Sequence, residues 1–426
     1  MQHGFEETSL SENFRFLGNV PVGTEGGVGV DVLSRYYDAI VFAYGAAKTK
    51  KLGIPGEELQ GVHSAGDFVG WYNGLPSHKD MKFNLDVEDA VIIGHGNVAL
   101  DVARILLTPP SQLARTDITE TALKALEKSR IKTVTIAGRR GVIQAAFTVK
   151  ELRELTEIPR TEFIPVIDKT QLQLPDGNSL PRIPKRIMAV LTTAINKQLK
   201  SRHRNAELFG RECRLLFLLA PTRFLSNLKE GHVGRVEFTR QSLVDPAKPD
   251  SKVISVNETT TIPAQIVFTA IGYTSLSLAG MSDLKVDVVR GVIPNTQGRV
   301  ETVATKDFGY VETDAAMRER VPGMYASGWV KTGPTGVIAT TMYSAFETGD
   351  SLVQDWNEGK EFLTPDAKVK GWEGFKEEVQ KVGGKPVQWK DWKMIEAKED
   401  RRGKMMGKER EKIVDIQEMI RVVEKA

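Results

Sequence analysis

Apolar residues along the chain fall into short unbroken runs separated by stretches of helical spacing. Ala39-Ile40-Val41-Phe42-Ala43, Ala90-Val91-Ile92-Ile93, Thr133-Val134-Thr135-Ile136-Ala137 and Ile266-Val267-Phe268-Thr269-Ala270-Ile271 read as strands. Their apolar character is continuous and does not alternate, which predicts a parallel sheet covered on both faces. Helical stretches lie between them. Residues 98–107 follow the second strand directly, and 118–129 set Leu123 and Leu126 on one face. Strands alternating with helices predict a doubly wound α/β fold. From 213 to 267 the pattern becomes alternating, as in Val236-Glu237-Phe238-Thr239, and predicts antiparallel strands. The segment 168–209 holds Pro175, Pro181 and Pro184, then a helix over 184–200, then the basic run 200–204. Beyond residue 368 the chain is charged and helical, with Trp372, Trp389 and Trp392, and its basic run 401–412 reads as a solvated surface. No internal repeat of fixed period is present.

Composition narrows the classes. A length of 426 residues suggests two or three domains. With 41% apolar and 27% charged residues, neither long disorder nor a fibrous fold is expected. Lys plus Arg is 58 and Asp plus Glu is 55, a balance of +3, which is too mild for a dedicated nucleic-acid binder. Cys213 is the single cysteine, so a disulfide framework, a Cys-x-x-Cys pair and any multi-cysteine zinc or iron–sulfur site are excluded. The six histidines show no ligand spacing, and no metal is expected. No apolar run reaches the ~20 residues of a membrane helix. The first residues carry Glu6, Glu7 and Glu12 and no Arg, unlike a transit peptide or a secretory signal.

The candidate chemistry begins at Gly94-His95-Gly96-Asn97-Val98-Ala99, a G-x-G-x-x-A turn that follows an apolar strand and opens a helix. Glycine permits a tight turn and a close approach of backbone to a pyrophosphate. The helix N-terminus then offers unpaired N–H groups and a partial positive charge. An ordinary strand–turn–helix is the alternative. The next strand ends in Gly138-Arg139-Arg140-Gly141. An NAD site would place an acid there for the ribose 2′-hydroxyl, whereas an arginine suits a 2′-phosphate. The Arg139–Arg140 pair therefore points to NADP(H), against a reading as two surface charges. The gap from Gly94 to Arg139 exceeds the usual ~20 residues, and the extra helix 118–129 would fill it.

Several longer runs resemble the mitochondrial NADPH–adrenodoxin (ferredoxin) reductase family. They are Ile54-Pro55-Gly56-Glu57-Glu58-Leu59, Phe68-Val69-Gly70-Trp71-Tyr72-Asn73-Gly74, 96–110, Gly138-Arg139-Arg140-Gly141, Lys150-Glu151-Leu152-Arg153-Glu154 and 327–341. The likeness runs from about Asn13 to the C-terminus. It implies a flavoenzyme with FAD and NADP as cofactors, in which electrons from NADPH pass singly to a [2Fe–2S] ferredoxin. It implies that His95, Gly96, Asn97 and Val98 line the NADP pyrophosphate. Arg139 and Arg140 would clasp the 2′-phosphate, with Glu151 also in the NADP site. Trp329 and the Gly336-Val337-Ile338 backbone would lie along the flavin, and Val22 would meet the adenine end of FAD. Core packing is the alternative for Trp329, and the neighbouring glycines weigh against it. Asp101, one helical turn past Asn97, is a candidate for a proton relay near the flavin or a plain surface carboxylate. Localisation in mitochondria is implied by the family alone.

The family begins with a strand and a G-x-G-x-x-G turn for the ADP half of FAD, and this unit is missing here. The expected fold is thus two interleaved doubly wound dinucleotide-binding domains, the FAD domain N-terminally truncated. Residues 48–273 would bind NADP. Residues 1–47 and 274–426 would form the FAD domain, ending in a helical extension. The ferredoxins of the family are acidic, so Arg153, Arg182, Lys185 and Arg186 are candidates for a docking face, or else scattered surface charges. With one cysteine the chain lacks the dithiol of disulfide-reducing flavin enzymes. A glutamate-synthase-like flavin subunit, which would bring cysteine-rich segments, and a flavin-free NADP-binding remnant are the rival readings.

Overall fold

The computed structural model describes residues 2–167, 180–201, 210–227, 231–281, 286–287, 290–302, 319–336 and 338–425. The chain divides into two compact units: 1–50 with 272–394, and 51–271 with 395–426.

The second unit is built on a six-stranded sheet in the order Val62–Ser64, Ile266–Thr269, Asp89–Ile93, Thr133–Ala137, Arg211–Leu216, Thr161–Val166. All neighbours are parallel. Alternate residues of each strand enter different cores. Ala90, Ile92, Val134, Ile136, Leu215 and Phe268 pack with the helices Asn97–Leu107, Glu120–Glu127 and Val149–Thr156. Val91, Ile93, Ala137 and Val267 pack instead with Leu219, Val236 and Phe238 of a three-stranded antiparallel sheet. This two-sided burial is why the strands are apolar at consecutive positions. The alternating stretch begins later than its pattern suggests. Arg211–Leu216 is an interior parallel strand, and the antiparallel strands are Leu219–Ser226, Val233–Leu243 and Val253–Pro263. Cys213 sits in that interior strand, where burial pushes its thiol up, so it acts as a packing residue.

The first unit holds a four-stranded sheet in which Ile40–Phe42 lies parallel to Arg320–Ala326, followed by Arg299–Glu301 and Asn295–Thr296. The earliest of the apolar runs thus belongs to a different sheet from the other three. The helix Ile338–Asn357 turns a polar face inward. Asp355 takes Arg299 at 3.0 Å and the Tyr325 hydroxyl at 2.8 Å, and Lys331, itself buried, bonds Glu347 at 2.8 Å and Thr348 Oγ1 at 2.9 Å. Its outer face is apolar and exposed at Met342, Phe346, Val353 and Trp356.

The division departs from the expected boundary at the C-terminus, since 395–426 groups with 51–271 and not with 272–394. The reason is ionic. The buried Lys408 Nζ donates to the Ile118 carbonyl at 2.6 Å and pairs with Glu411. Lys412 meets Asp117 at 2.8 Å, and Glu399 accepts the Ile413 N–H at 2.8 Å. Arg410 contacts Glu396 and Asp400. The 401–412 run is therefore in part an anchor, not only a solvated surface. Breaking a buried ion pair from one side leaves an uncompensated charge. Lys408→Ala is expected to lower unfolding stability by about 3 kcal/mol, read by denaturant titration, and no change would show the anchor to be incidental.

Candidate functional site

Strand Asp89–Ile93 ends at Gly94, whose φ is 132°. A Cβ there would lie 2.2 Å from the Ala270 carbonyl oxygen, so no side chain fits between the two strands. The turn delivers the chain into the helix Asn97–Leu107, with Gly96 as its N-cap. No side chain caps that N-terminus and no acid occupies its first turn. A Cβ on Gly96 would meet nothing within 4 Å, so the backbone here is open. Free N–H groups, the helix dipole and an open approach are what a pyrophosphate requires.

The register of the sheet sets the second element beside it. Ile93 pairs with Ala137, so Gly138-Arg139-Arg140 emerges next to the glycine turn. Both arginines are exposed, and among the described residues neither guanidinium has a carboxylate partner. A third element is tied to the same place by Asn97, whose Oδ1 accepts the Thr148 N–H at 2.8 Å. Thr148 precedes the helix Val149–Thr156, and in its first turn Glu151 keeps a buried Oε2 without a hydrogen bond. The sheet edge thus gathers His95, Gly96, Asn97, Val98, Arg139, Arg140 and Glu151.

Two titratable residues of the turn and its helix, His95 and Asp101, differ in role from their neighbours. The His95 ring turns into the protein, packs on Phe217, and donates from Nε2 to the Leu216 carbonyl at 2.7 Å. It holds the turn from beneath, and only its backbone faces the open side. Asp101 lies on the same helix, bonded by Arg104 Nε at 3.2 Å and by the Tyr72 hydroxyl. It is a fixed, half-buried anion and not a free surface carboxylate. Sequence reasoning overlooked Gln144. Its amide donates to the Lys248 carbonyl at 2.8 Å while its buried Oε1 stays unpaired. Its place three residues after Gly141 was the available signal.

In the other unit, Gly328, Gly333 and Gly336 all have positive φ. Trp329 is half-buried, with its ring stacked on Tyr273 at 6.2 Å. The helix Ile338–Asn357 begins directly afterwards, with no acid in its first turn. Val337 lies outside the described residues, as does the side chain of Ile338. Val22 is half-buried and bridges to Val28. Trp329 and this helix start have what the ring end of a flavin needs: a flat aromatic face and a helix N-terminus with no acid in its first turn. A G-x-G-x-x-G turn opening a long helix, the cradle for the pyrophosphate of FAD, has no counterpart among the described residues of this unit.

The docking candidates stand on two helices. Arg153 is on Val149–Thr156, and Arg182, Lys185 and Arg186 are in the first turns of Arg182–Ser201. Arg182 and Arg186, four residues apart, are exposed on one side of that helix.

No family model matches the chain. It is 41% identical over 430 residues to a probable mitochondrial NADPH:adrenodoxin oxidoreductase of Schizosaccharomyces pombe, covering 99% of this chain and 84% of that protein. It is 41% identical over 424 residues to the Homo sapiens mitochondrial NADPH:adrenodoxin oxidoreductase, covering 98% and 80%. Among solved structures, FprA of Mycobacterium tuberculosis in complex with NADPH superposes with a TM-score of 0.81 at 32% identity, over 99% of this chain and 86% of that one.

Burial lowers the His95 pKa from its ordinary 6.5 to about 4. An unfolded chain takes up this proton at higher pH than the folded one, so stability falls as pH drops from 6.5 toward 4 and is complete above 6.5. The loss is about 3 kcal/mol in full. His95→Gln is expected to flatten that slope in pH-dependent unfolding curves. An unchanged slope would place the ring in solvent.

Proposed function

Because the chain belongs to the NADPH:adrenodoxin oxidoreductase family, we propose that it oxidises NADPH and delivers the electrons to a small iron–sulfur protein of the adrenodoxin type. The observation that carries the reading is the juxtaposition, at one sheet edge, of an uncapped helix N-terminus and two arginines without carboxylate partners. The first matches a pyrophosphate and the second a 2′-phosphate.

The chain's own residues then have distinct tasks. The N–H groups of Gly96, Asn97 and Val98 bind the pyrophosphate. Arg139 and Arg140 hold the 2′-phosphate and select NADPH over NADH. Glu151, with an unspent buried oxygen at a helix start tied to the same turn, lines the nucleotide site as a hydrogen-bond acceptor. His95 and Asn97 position the turn from within. Trp329, Gly336, Val337 and Ile338 would hold the flavin ring, and Val22 the adenine end of FAD. When bound, FAD supplies the conversion of a two-electron hydride into single electrons, which a [2Fe–2S] acceptor requires. Asp101, fixed by Tyr72 and Arg104, is placed on the Asn97–Leu107 helix for a proton relay. Arg153, Arg182, Lys185 and Arg186 present a cationic face to an acidic partner. The relatives' names place them in mitochondria, and the proposal for this chain is the same compartment.

Arg139→Ala is expected to lower kcat/KM for NADPH by about 10- to 100-fold while leaving that for NADH nearly unchanged. Equal loss with both nucleotides in steady-state assays would remove the 2′-phosphate role. Arg182→Ala and Arg186→Ala are expected to slow ferredoxin reduction several-fold at low ionic strength, the effect shrinking as salt is raised. Unaltered rates at low salt would refute the cationic docking face.

A further inference from the structure

The helices Val149–Thr156 and Arg182–Ser201 and the strand Thr161–Val166 enclose a groove of about 500 Å³. Its make-up follows from one stripe of the long helix. Ile187 and Leu191 are buried in the core, and beside them Arg186, Val190, Ala194 and Lys197 run along the helix at spacings of about one turn. The stripe is cationic at both ends and small and apolar in the middle. Phe163, buried, lies between them on the strand, and Arg153 stands across the groove. Glu157 and Glu162 are the acids of the lining. Among the described residues Arg153, Arg186 and Lys197 have no ion pair. The rim therefore keeps unspent positive charge around an apolar floor that no described side chain fills.

We propose that this groove receives an apolar side chain of the iron–sulfur partner, one set inside the partner's acidic surface. The inference rests on the docking reading above and adds a component that charge does not provide. Exposed cations speed encounter and orient the partner, but their contribution is screened by salt. A short-lived complex also needs one register, and burial of a single apolar group at the centre of a charged ring supplies it without salt dependence. An acidic partner is the occupant that the rim selects, since its carboxylates meet Arg153, Arg186 and Lys197 while its apolar group meets Val190, Ala194 and Phe163.

The test measures the Kd of oxidised [2Fe–2S] ferredoxin on the FAD-loaded enzyme at low and high salt. NADPH-dependent ferricyanide reduction, which needs no docking, reports integrity. Ala194→Trp fills the groove and is expected to raise Kd about tenfold by the same factor at both salt concentrations, with ferricyanide reduction unchanged. Val190→Thr keeps the volume, removes apolar floor, and is expected to raise Kd about threefold. Where Ala194→Trp also lowers the ferricyanide rate, Val190→Thr decides alone. An unchanged Kd in both variants, or a rise that vanishes at high salt, overturns the groove. If Arg182→Ala still raises Kd in that case, the docking face stands without it. If Arg182→Ala and Arg186→Ala have no effect either, the docking reading itself is what fails.

Discussion

The nucleotide unit depends on one close approach, that of Gly94 to the Ala270 carbonyl. The two strands that end there are neighbours in the sheet, Asp89–Ile93 beside Ile266–Thr269. With a side chain at 94 the strands would have to part or the turn would have to open. Everything else at the site is referred to that turn. It aims the N-terminus of the 97–107 helix outward, brings His95 under Gly138, and places Asn97 where it can hold Thr148. A dinucleotide site of this kind is thus less a set of side chains than a backbone geometry, with side chains fixing it from behind.

Buried charge is used in both units to fix how elements meet. Lys331 and Asp355 attach the long 338–357 helix to the sheet below it, and Lys408 attaches the C-terminal segment to the helical layer. Such pairs add little net stability relative to apolar residues of similar size. They do make alternative packings expensive, because a displaced helix would strand a charge away from water. The inverted character of the 338–357 helix follows: its polar side chains face Arg299, Tyr325 and Lys331, and its apolar ones are left outward.

The parallel sheet was legible because its strands are buried on both faces and so are apolar without interruption. The place of the glycine turn before its helix, and of the exposed arginine pair at the next strand's end, was legible because both are set by local sequence. What could not be read was long-range. The strand Arg211–Leu216 carries Arg211, Glu212 and Arg214 and so looks half-exposed, yet it runs inside the sheet, with Cys213 and Leu215 buried, Arg211 and Glu212 at its start and Arg214 exposed between the two buried residues. The attachment of 395–426 to the other unit depends on partners about 290 residues away, such as Ile118 for Lys408, and no local pattern announces that. Likewise the fate of His95 was hidden. A histidine in a glycine turn suggests contact with ligand, but Phe217 and the Leu216 carbonyl, far along the chain, draw its ring inward.

Positive charge is the final discriminator between the sites. The chain's 58 cations are nearly balanced by 55 acids, and many exposed ones, such as Lys132 with Glu88 or Arg214 with Glu212, are paired. Such pairs cancel most of the field they create. A lone exposed cation is common and carries no meaning by itself. It acquires one where the surroundings supply a second, uncharged element of recognition. Arg139 and Arg140 stand beside an open, uncapped helix start suited to phosphate oxygens, and on that ground they are the cations proposed to meet a nucleotide. Arg153 and Arg186 stand around an apolar floor that no phosphate would use, and on that ground they are the cations proposed to meet a protein. The same residue type is thereby assigned to two different anions by what lies between the charges.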